Sequence, residues 1–148
     1  MSDCTKCRGA GVNRREFLTT SSALAITAVL AACGDGIGGS STGPSNVNAT
    51  VTVGNYPALG TVGGIAVISG TGTPIAVVRA TATQYRAFSL VCPHQGTTVS
   101  ISGTGFRCSN HGATFNASGA WTGGERTNGL FEFTVASNTT AGTITISS

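Results

Sequence analysis

The chain has 148 residues, which is room for one domain and a leader but not for a second domain. Its composition is rich in Gly, Ser, Thr, Ala and Val and poor in charge, which favours β-strands joined by tight turns over long helices. Half of the eight basic residues lie within the first fifteen positions, and the nearly neutral remainder disfavours nucleic-acid binding.

The N-terminal segment resembles an export signal. Asn13–Leu18 (NRREFL) resembles a twin-arginine motif, and a modestly apolar stretch, Ser22–Ala32, follows it. Because that stretch is shorter than the roughly 17 to 25 residues of a membrane-spanning helix, we expect a cleaved signal peptide rather than an anchor. The alternative is a short surface helix. Cys4 and Cys7 form a C-x-x-C pair, but they precede the arginines and would be removed with the signal.

The residues after the apolar stretch predict a tether. Leu30–Cys33 (LAAC) resembles a bacterial lipobox, in which Cys33 becomes the lipid-modified first residue of the mature protein. The alternative is ordinary cleavage that leaves Cys33 as a free thiol. The Gly- and Ser-rich Gly34–Ser45 is typical of a flexible linker. We therefore expect twin-arginine export to the periplasm or another extracytoplasmic site, with lipid anchoring to a membrane. The predicted regions are a signal peptide over 1–32, a linker over 33–47 and a domain over 48–148.

The body of the chain has the pattern of an all-β fold. Short apolar or alternating runs recur between Gly, Pro, Asn and Ser turn signals. Gly70–Gly72 and Ser102–Gly105 lie where hairpins would turn. The spacing predicts an antiparallel sandwich or small barrel. The predicted strands are Ala49–Val53, Gly64–Ser69, Ile75–Ala80, Tyr85–Val91, Thr97–Ile101, Leu130–Ala136 and Thr143–Ile146.

Two pairs of metal-binding residue types lie in this body. Cys92 and Cys108 are the only cysteines after Cys33, and His94 and His111 are the only histidines in the chain. They form the motifs C-P-H and C-S-N-H, which two loops could close over one metal centre. Thiolates favour iron held with sulfide, and neutral imidazoles leave their iron easier to reduce.

These motifs resemble the Rieske family, whose pattern is C-x-H, a gap and C-x-x-H. The likeness is specific from about Leu90 to Gly124. It implies a Rieske-like β fold whose cluster-binding subdomain has two loops, and one [2Fe–2S] cluster as cofactor. In that family the first and second Cys bind the inner iron, here Cys92 and Cys108, and the two histidines bind the outer iron, here His94 and His111. The resemblance further implies one-electron transfer to a redox partner that docks at the His94/His111 end.

Two departures from the family pattern bear on function. Quinol-oxidising members join the two loops by a disulfide, and the matching positions here are Thr97 and Asn110, so the resemblance favours the Rieske ferredoxin type. High-potential members have Ser and Tyr hydroxyls that donate to cluster or cysteine sulfur where this chain has Ala113 and Phe115. Fewer such hydrogen bonds predict a potential in the lower half of the Rieske range.

Three functions remain open at this point. The first is a tethered electron carrier that is not an enzyme alone. The second is the Rieske subunit of a membrane-associated oxidoreductase, of the cytochrome bc or arsenite oxidase type. The third is a structural β module that binds zinc, because Cys₂His₂ is a common zinc set. Zinc fingers pair Cys with Cys and His with His, whereas this chain alternates them, which favours the cluster.

Overall fold

The computed structural model describes residues 43–148. The predicted signal peptide, the C-x-x-C pair, the twin-arginine motif and Cys33 lie outside the described residues. Among residues 43–148, no helix has the length and apolar character needed to cross a bilayer.

The predicted all-β class is confirmed. Ten strands, all in antiparallel pairs, and two short 3₁₀ helices, Val53–Asn55 and Pro57–Gly60, make up the regular structure of residues 43–148. The strands are β1 Asn48–Thr52, β2 Ile65–Ile68, β3 Ile75–Arg79, β4 Tyr85–Ser89, β5 Val99–Ser102, β6 Gly105–Cys108, β7 Thr114–Phe115, β8 Trp121–Gly123, β9 Glu132–Asn138 and β10 Thr143–Ser147. Each of the seven predicted runs overlaps one strand, and β6, β7 and β8 were not predicted.

The strands form two sheets. The larger sheet has the order β1-β10-β9-β4-β3-β2, and the smaller has the order β5-β6-β7-β8. Both predicted hairpin turns are present, one between β2 and β3 and the other between β5 and β6. The smaller sheet is therefore an insertion between β4 and β9, which pair with each other in the larger sheet.

The central strand β3 is buried on both faces. Ile75 and Val77 belong to one hydrophobic core, while Ala76 and Val78 belong to a second core on the opposite face. This explains its unbroken apolar run, since a strand exposed on one face would alternate with polar residues. The second core holds the smaller sheet against the larger one.

One aromatic contact joins the two sheets directly. Phe88 of β4 meets Phe106 of β6 edge to face, with ring centroids 6.1 Å apart, and each ring is 1 % exposed. Such a pair contributes about 0.5–1.5 kcal/mol beyond the area it buries. Cys92 and Cys108 belong to the same core, so the second core supports the loops described next.

Candidate metal centre

The two Cys–His motifs lie on loops with the same backbone arrangement. In the first loop, Cys92–Thr97, the Cys92 N–H donates to the Thr97 carbonyl at 2.8 Å, and the Gly96 N–H donates to the Cys92 carbonyl at 2.8 Å. In the second loop, Cys108–Ala113, the corresponding bonds are 2.8 Å and 3.1 Å. Each loop thus begins at a cysteine and closes on itself five residues later.

A glycine at the fifth position lets each loop close. Gly96 has φ 71° and Gly112 has φ 73°, a left-handed conformation in which other residues are strained. This conformation turns the chain back toward the cysteine after the histidine has been passed. The glycines that follow the two motifs are therefore part of the loop geometry.

Strand register brings the two loops to one end of the smaller sheet. Val99, at the start of β5, pairs with Cys108 at the end of β6, and its N–H donates to the Leu90 carbonyl at 2.8 Å. The chain segments entering the first and second loops therefore flank the same residue. The side chains of Cys92, His94, Cys108 and His111 are therefore together at this end of the smaller sheet, here called the tip.

The two thiols are buried, each accepts backbone hydrogen bonds, and the two interact with each other. Cys92 and Cys108 are each 2 % exposed. Burial raises the pKa of Cys92, although two backbone N–H groups of its own loop act in the opposite sense. Burial also opposes ionisation of Cys108, but two N–H groups of its loop and the Cys92 thiol outweigh it and lower the pKa of Cys108. Backbone donors aimed at both sulfurs favour the thiolate form that binds metals.

The two imidazoles are exposed and converge on each other. His94 Nδ1 lies 3.2 Å from His111 Nδ1, and the ring planes meet at 79°. Two nitrogens that bind one metal at about 2.1 Å with a near-tetrahedral angle would be roughly 3.4 Å apart. The Nδ1 atoms are thus close to the separation that a shared metal requires.

The four donors divide into a buried sulfur pair and an exposed nitrogen pair. Among residues 43–148, no group of three or more His, Cys, Asp or Glu side chains is arranged to hold one metal ion. A structural zinc ion takes four ligands at one point. A centre with two irons takes two protein ligands at each iron, so this division fits a [2Fe–2S] cluster better than a single zinc.

A side-chain hydrogen bond joins the two loops. Asn110 Nδ2 donates to Gln95 Oε1 at 3.2 Å, and both residues are exposed. Asn110 is one of the two positions at which the resemblance places a disulfide cysteine in other members. The sequence excluded the disulfide, but it did not predict this hydrogen bond, because only the folded loops bring Gln95 close to Asn110.

We expect the loss of this bond to loosen the loops. An exposed neutral hydrogen bond contributes about 0.5–1 kcal/mol, so Asn110→Ala and Gln95→Ala should each speed the loss of bound metal to a chelator by roughly two- to five-fold. The measurement is the decay of visible absorbance after the chelator is added to the full chain. Ser100→Ala, on exposed β5, is the control. The double variant should decay no faster than either single one, and additive effects would contradict the pairing.

A third segment supports the second loop. A Cβ placed on Gly124, just after β8, would overlap the Gly112 carbonyl oxygen, so the two backbones are in direct contact. The Trp121 indole N–H donates to the Glu125 carbonyl at 3.0 Å and holds this segment to β8. Trp121 also packs against the second core.

Comparison with known proteins gives the same family as the motifs. The sequence pattern of the Rieske [2Fe–2S] domain matches residues 52–134, which include both loops and more than half of the chain. No curated protein matches the chain. Among solved structures, the fold is similar to the crystal structure of the cyanobacterial plasma membrane Rieske protein PetC3 from Synechocystis PCC 6803. The TM-score is 0.54 and the identity 22 %, covering 68 % of this chain and 99 % of that chain.

Proposed function

This chain belongs to the Rieske [2Fe–2S] domain family, and on that premise we propose that it is an exported, membrane-tethered carrier of single electrons. Family membership implies a [2Fe–2S] cluster with Cys and His ligands and a role in electron transfer. The observation that supports this function in the chain itself is the convergence of two buried thiols and two exposed imidazoles at one tip.

The proposed ligands divide the cluster between them. Cys92 and Cys108 would hold the inner iron, and His94 and His111 would hold the outer iron through Nδ1. When bound, the cluster accepts and returns one electron, at a potential of about −150 to +300 mV for histidine-ligated centres. Three observations support this assignment. The two loops have the same backbone arrangement, their N–H groups are aimed at the sulfurs, and the two Nδ1 atoms are 3.2 Å apart.

The protein's own residues define where electrons would enter and leave. The cysteines lie in the second core, so their end of the site is shielded from water and held rigidly. The histidines are exposed, so a partner docking at the tip would contact their rings first. Among the described residues the site shows no nucleophile paired with a base, so we propose electron transfer without bond-forming catalysis.

The proposed location rests on the N-terminal sequence. The twin-arginine motif, the apolar stretch and Cys33 support export and lipid anchoring. The cyanobacterial protein with a similar fold is described as a plasma membrane protein, which is in line with a tether. Labelling of expressing cells with a radioactive fatty acid tests this: the full chain should take up the label and be found in the membrane fraction, and Cys33→Ala should take up none. A full chain without label would exclude a lipid anchor at Cys33.

Electron paramagnetic resonance with metal analysis tests the function. We expect the full chain, reduced with dithionite, to give a rhombic signal of the histidine-ligated type, with iron and sulfide in equal amounts. A sample that gave no resonance signal and contained zinc would show instead that the chain is a structural zinc module.

The potential can be raised by restoring a hydroxyl. Ala113 and Phe115 are buried in the core that contains both cysteines, 1 % and 3 % exposed. A hydroxyl donor there would stabilise the negative charge of the reduced state. We expect a midpoint potential in the lower half of the range, below about +75 mV, and a higher one in Ala113→Ser and Phe115→Tyr. Redox titration checks both, with Ala66→Ser in the first core as the matched control; a strongly positive wild-type midpoint would contradict the argument.

A further inference from the structure

Two arginines flank the second loop. Arg107 lies on the exposed face of β6, and its Nη2 is 3.8 Å from the place a Cβ would take on Gly112. Arg126 follows Gly124, whose backbone contacts the Gly112 carbonyl, and its guanidinium carbon lies 5.9 Å from the centroid of the Trp121 ring. Both positive charges are therefore close to the loop that carries His111.

Among residues 43–148, neither arginine forms an ion pair with a carboxylate. The ion pair present among residues 43–148 joins Arg86 and Glu132 on the larger sheet, at 2.7 Å. Arg79 is also on the larger sheet, and its guanidinium donates to backbone carbonyls there. Glu125, which is exposed, is the only acidic residue between the first loop and β9. Among the described residues, this end of the smaller sheet thus has two positive charges outside any ion pair and one negative charge.

The proposed cluster leaves this positive charge uncompensated in the oxidised state. Two ferric irons, two sulfides and two thiolates sum to zero, and one added electron gives the cluster a single negative charge. A surface with unpaired arginines attracts an opposite charge and increases the rate of encounter with it. Arg107 lies against Gly112, the neighbour of His111, so a partner that docks at the exposed His111 imidazole to exchange an electron would meet this charge.

We propose that Arg107 and Arg126 form an electrostatic docking site for a redox protein whose contact surface is rich in carboxylates. This rests on the proposed electron-transfer function and adds the chemical class of its partner. A protein partner fits better than a lipid surface, because a bilayer lying against the tip would cover the histidines and could not accept their electron.

Fluorescence quenching tests the local field without using the redox activity. Trp121 is the single tryptophan of the chain and lies under Arg126, so its quenching by iodide reports the charge at the tip. We expect Arg107→Gln and Arg126→Gln to lower the iodide quenching constant, relative to that of neutral acrylamide, by roughly 1.5- to 2-fold at about 0.1 M ionic strength. Glu125→Gln should raise it, and Arg86→Gln, which makes the same change in net charge elsewhere, should leave it unchanged.

Electron exchange with small oxidants tests whether these charges increase the rate of reaction with an anion. One electron passes from the reduced protein to hexacyanoferrate(III), which becomes hexacyanoferrate(II). The rate constant should fall about three- to five-fold in each arginine variant at an ionic strength of about 10 mM, and the effect should disappear in high salt. With the cation tris(phenanthroline)cobalt(III) the rate should rise instead. A changed potential would move both rates in the same direction, so opposite signs identify docking.

The outcomes separate the inference from the proposed function. Arginine variants that match Arg86→Gln in both measurements would overturn the docking site while leaving the carrier intact. A chain that held no cluster would overturn the proposed electron-carrier function. The ratio of iodide to acrylamide quenching would still report the electrostatic potential around Trp121. Binding to phosphatidylglycerol vesicles that both arginine variants abolished would assign the site to a lipid surface and overturn the protein partner.

Discussion

Replacing either buried cysteine should abolish the visible chromophore. Cys92→Ala or Cys108→Ala removes one of the two thiolates proposed for the inner iron, and no other cysteine lies among residues 43–148 to replace it. Loss of a supporting residue around a metal site already costs 10- to 100-fold in affinity, so we expect loss of a ligand to cost more than about 100-fold. The measurement is iron and sulfide per chain, with the dithionite-reduced resonance signal.

A third cysteine provides the matched control. Cys33→Ala also removes one thiol from the chain, but Cys33 lies in the predicted lipobox, so the cluster content should equal that of the wild type. His94→Ala should behave like the cysteine variants, because it takes one nitrogen from the facing pair. A Cys92→Ala chain that kept two irons and a rhombic signal would exclude Cys92 as a ligand.

The cofactor could be predicted from sequence because the two alternating Cys–His motifs resemble those of the Rieske family, whose domain pattern matches residues 52–134. Residue type alone left zinc open. A glycine lies shortly after each motif, where the loop must turn. Seven strands, β1 to β5, β9 and β10, were also predictable, since each contains an apolar run bounded by turn residues. In β3 that run is unbroken because the strand is buried on both faces.

The smaller sheet was harder to predict for a physical reason. Its strands β7 and β8 have only two and three residues, too few to show a period of two, and β6 has a single large apolar residue, Phe106, between Gly105 and Arg107. Their stability comes from Phe106, Phe115 and the core between the sheets rather than from local propensity. The contacts between loops depend on this tertiary packing. Neither the Asn110–Gln95 bond nor the position of Arg107 beside Gly112 could be read from the sequence.

Substituting Gly124 should destabilise both the fold and the site. Its φ of 72° is left-handed, which costs roughly 1–2 kcal/mol for any other L-residue. A methyl group there would also overlap the Gly112 carbonyl oxygen, and the shift needed to relieve such overpacking costs about 1–3 kcal/mol. We therefore expect Gly124→Ala to lower the free energy of unfolding by roughly 2–5 kcal/mol. Chemical denaturation of the full chain measures it.

A second glycine separates the cost of the left-handed backbone conformation from the cost of the steric overlap. Gly72 has φ 77° in the turn between β2 and β3, and a Cβ there would meet nothing within 4 Å, so Gly72→Ala should cost only the conformational part. The displaced Gly112 carbonyl belongs to the loop that holds Cys108 and His111, so only Gly124→Ala should also speed the loss of iron to a chelator. Equal destabilisation by the two variants, with unchanged iron retention, would show that the third segment does not brace the second loop.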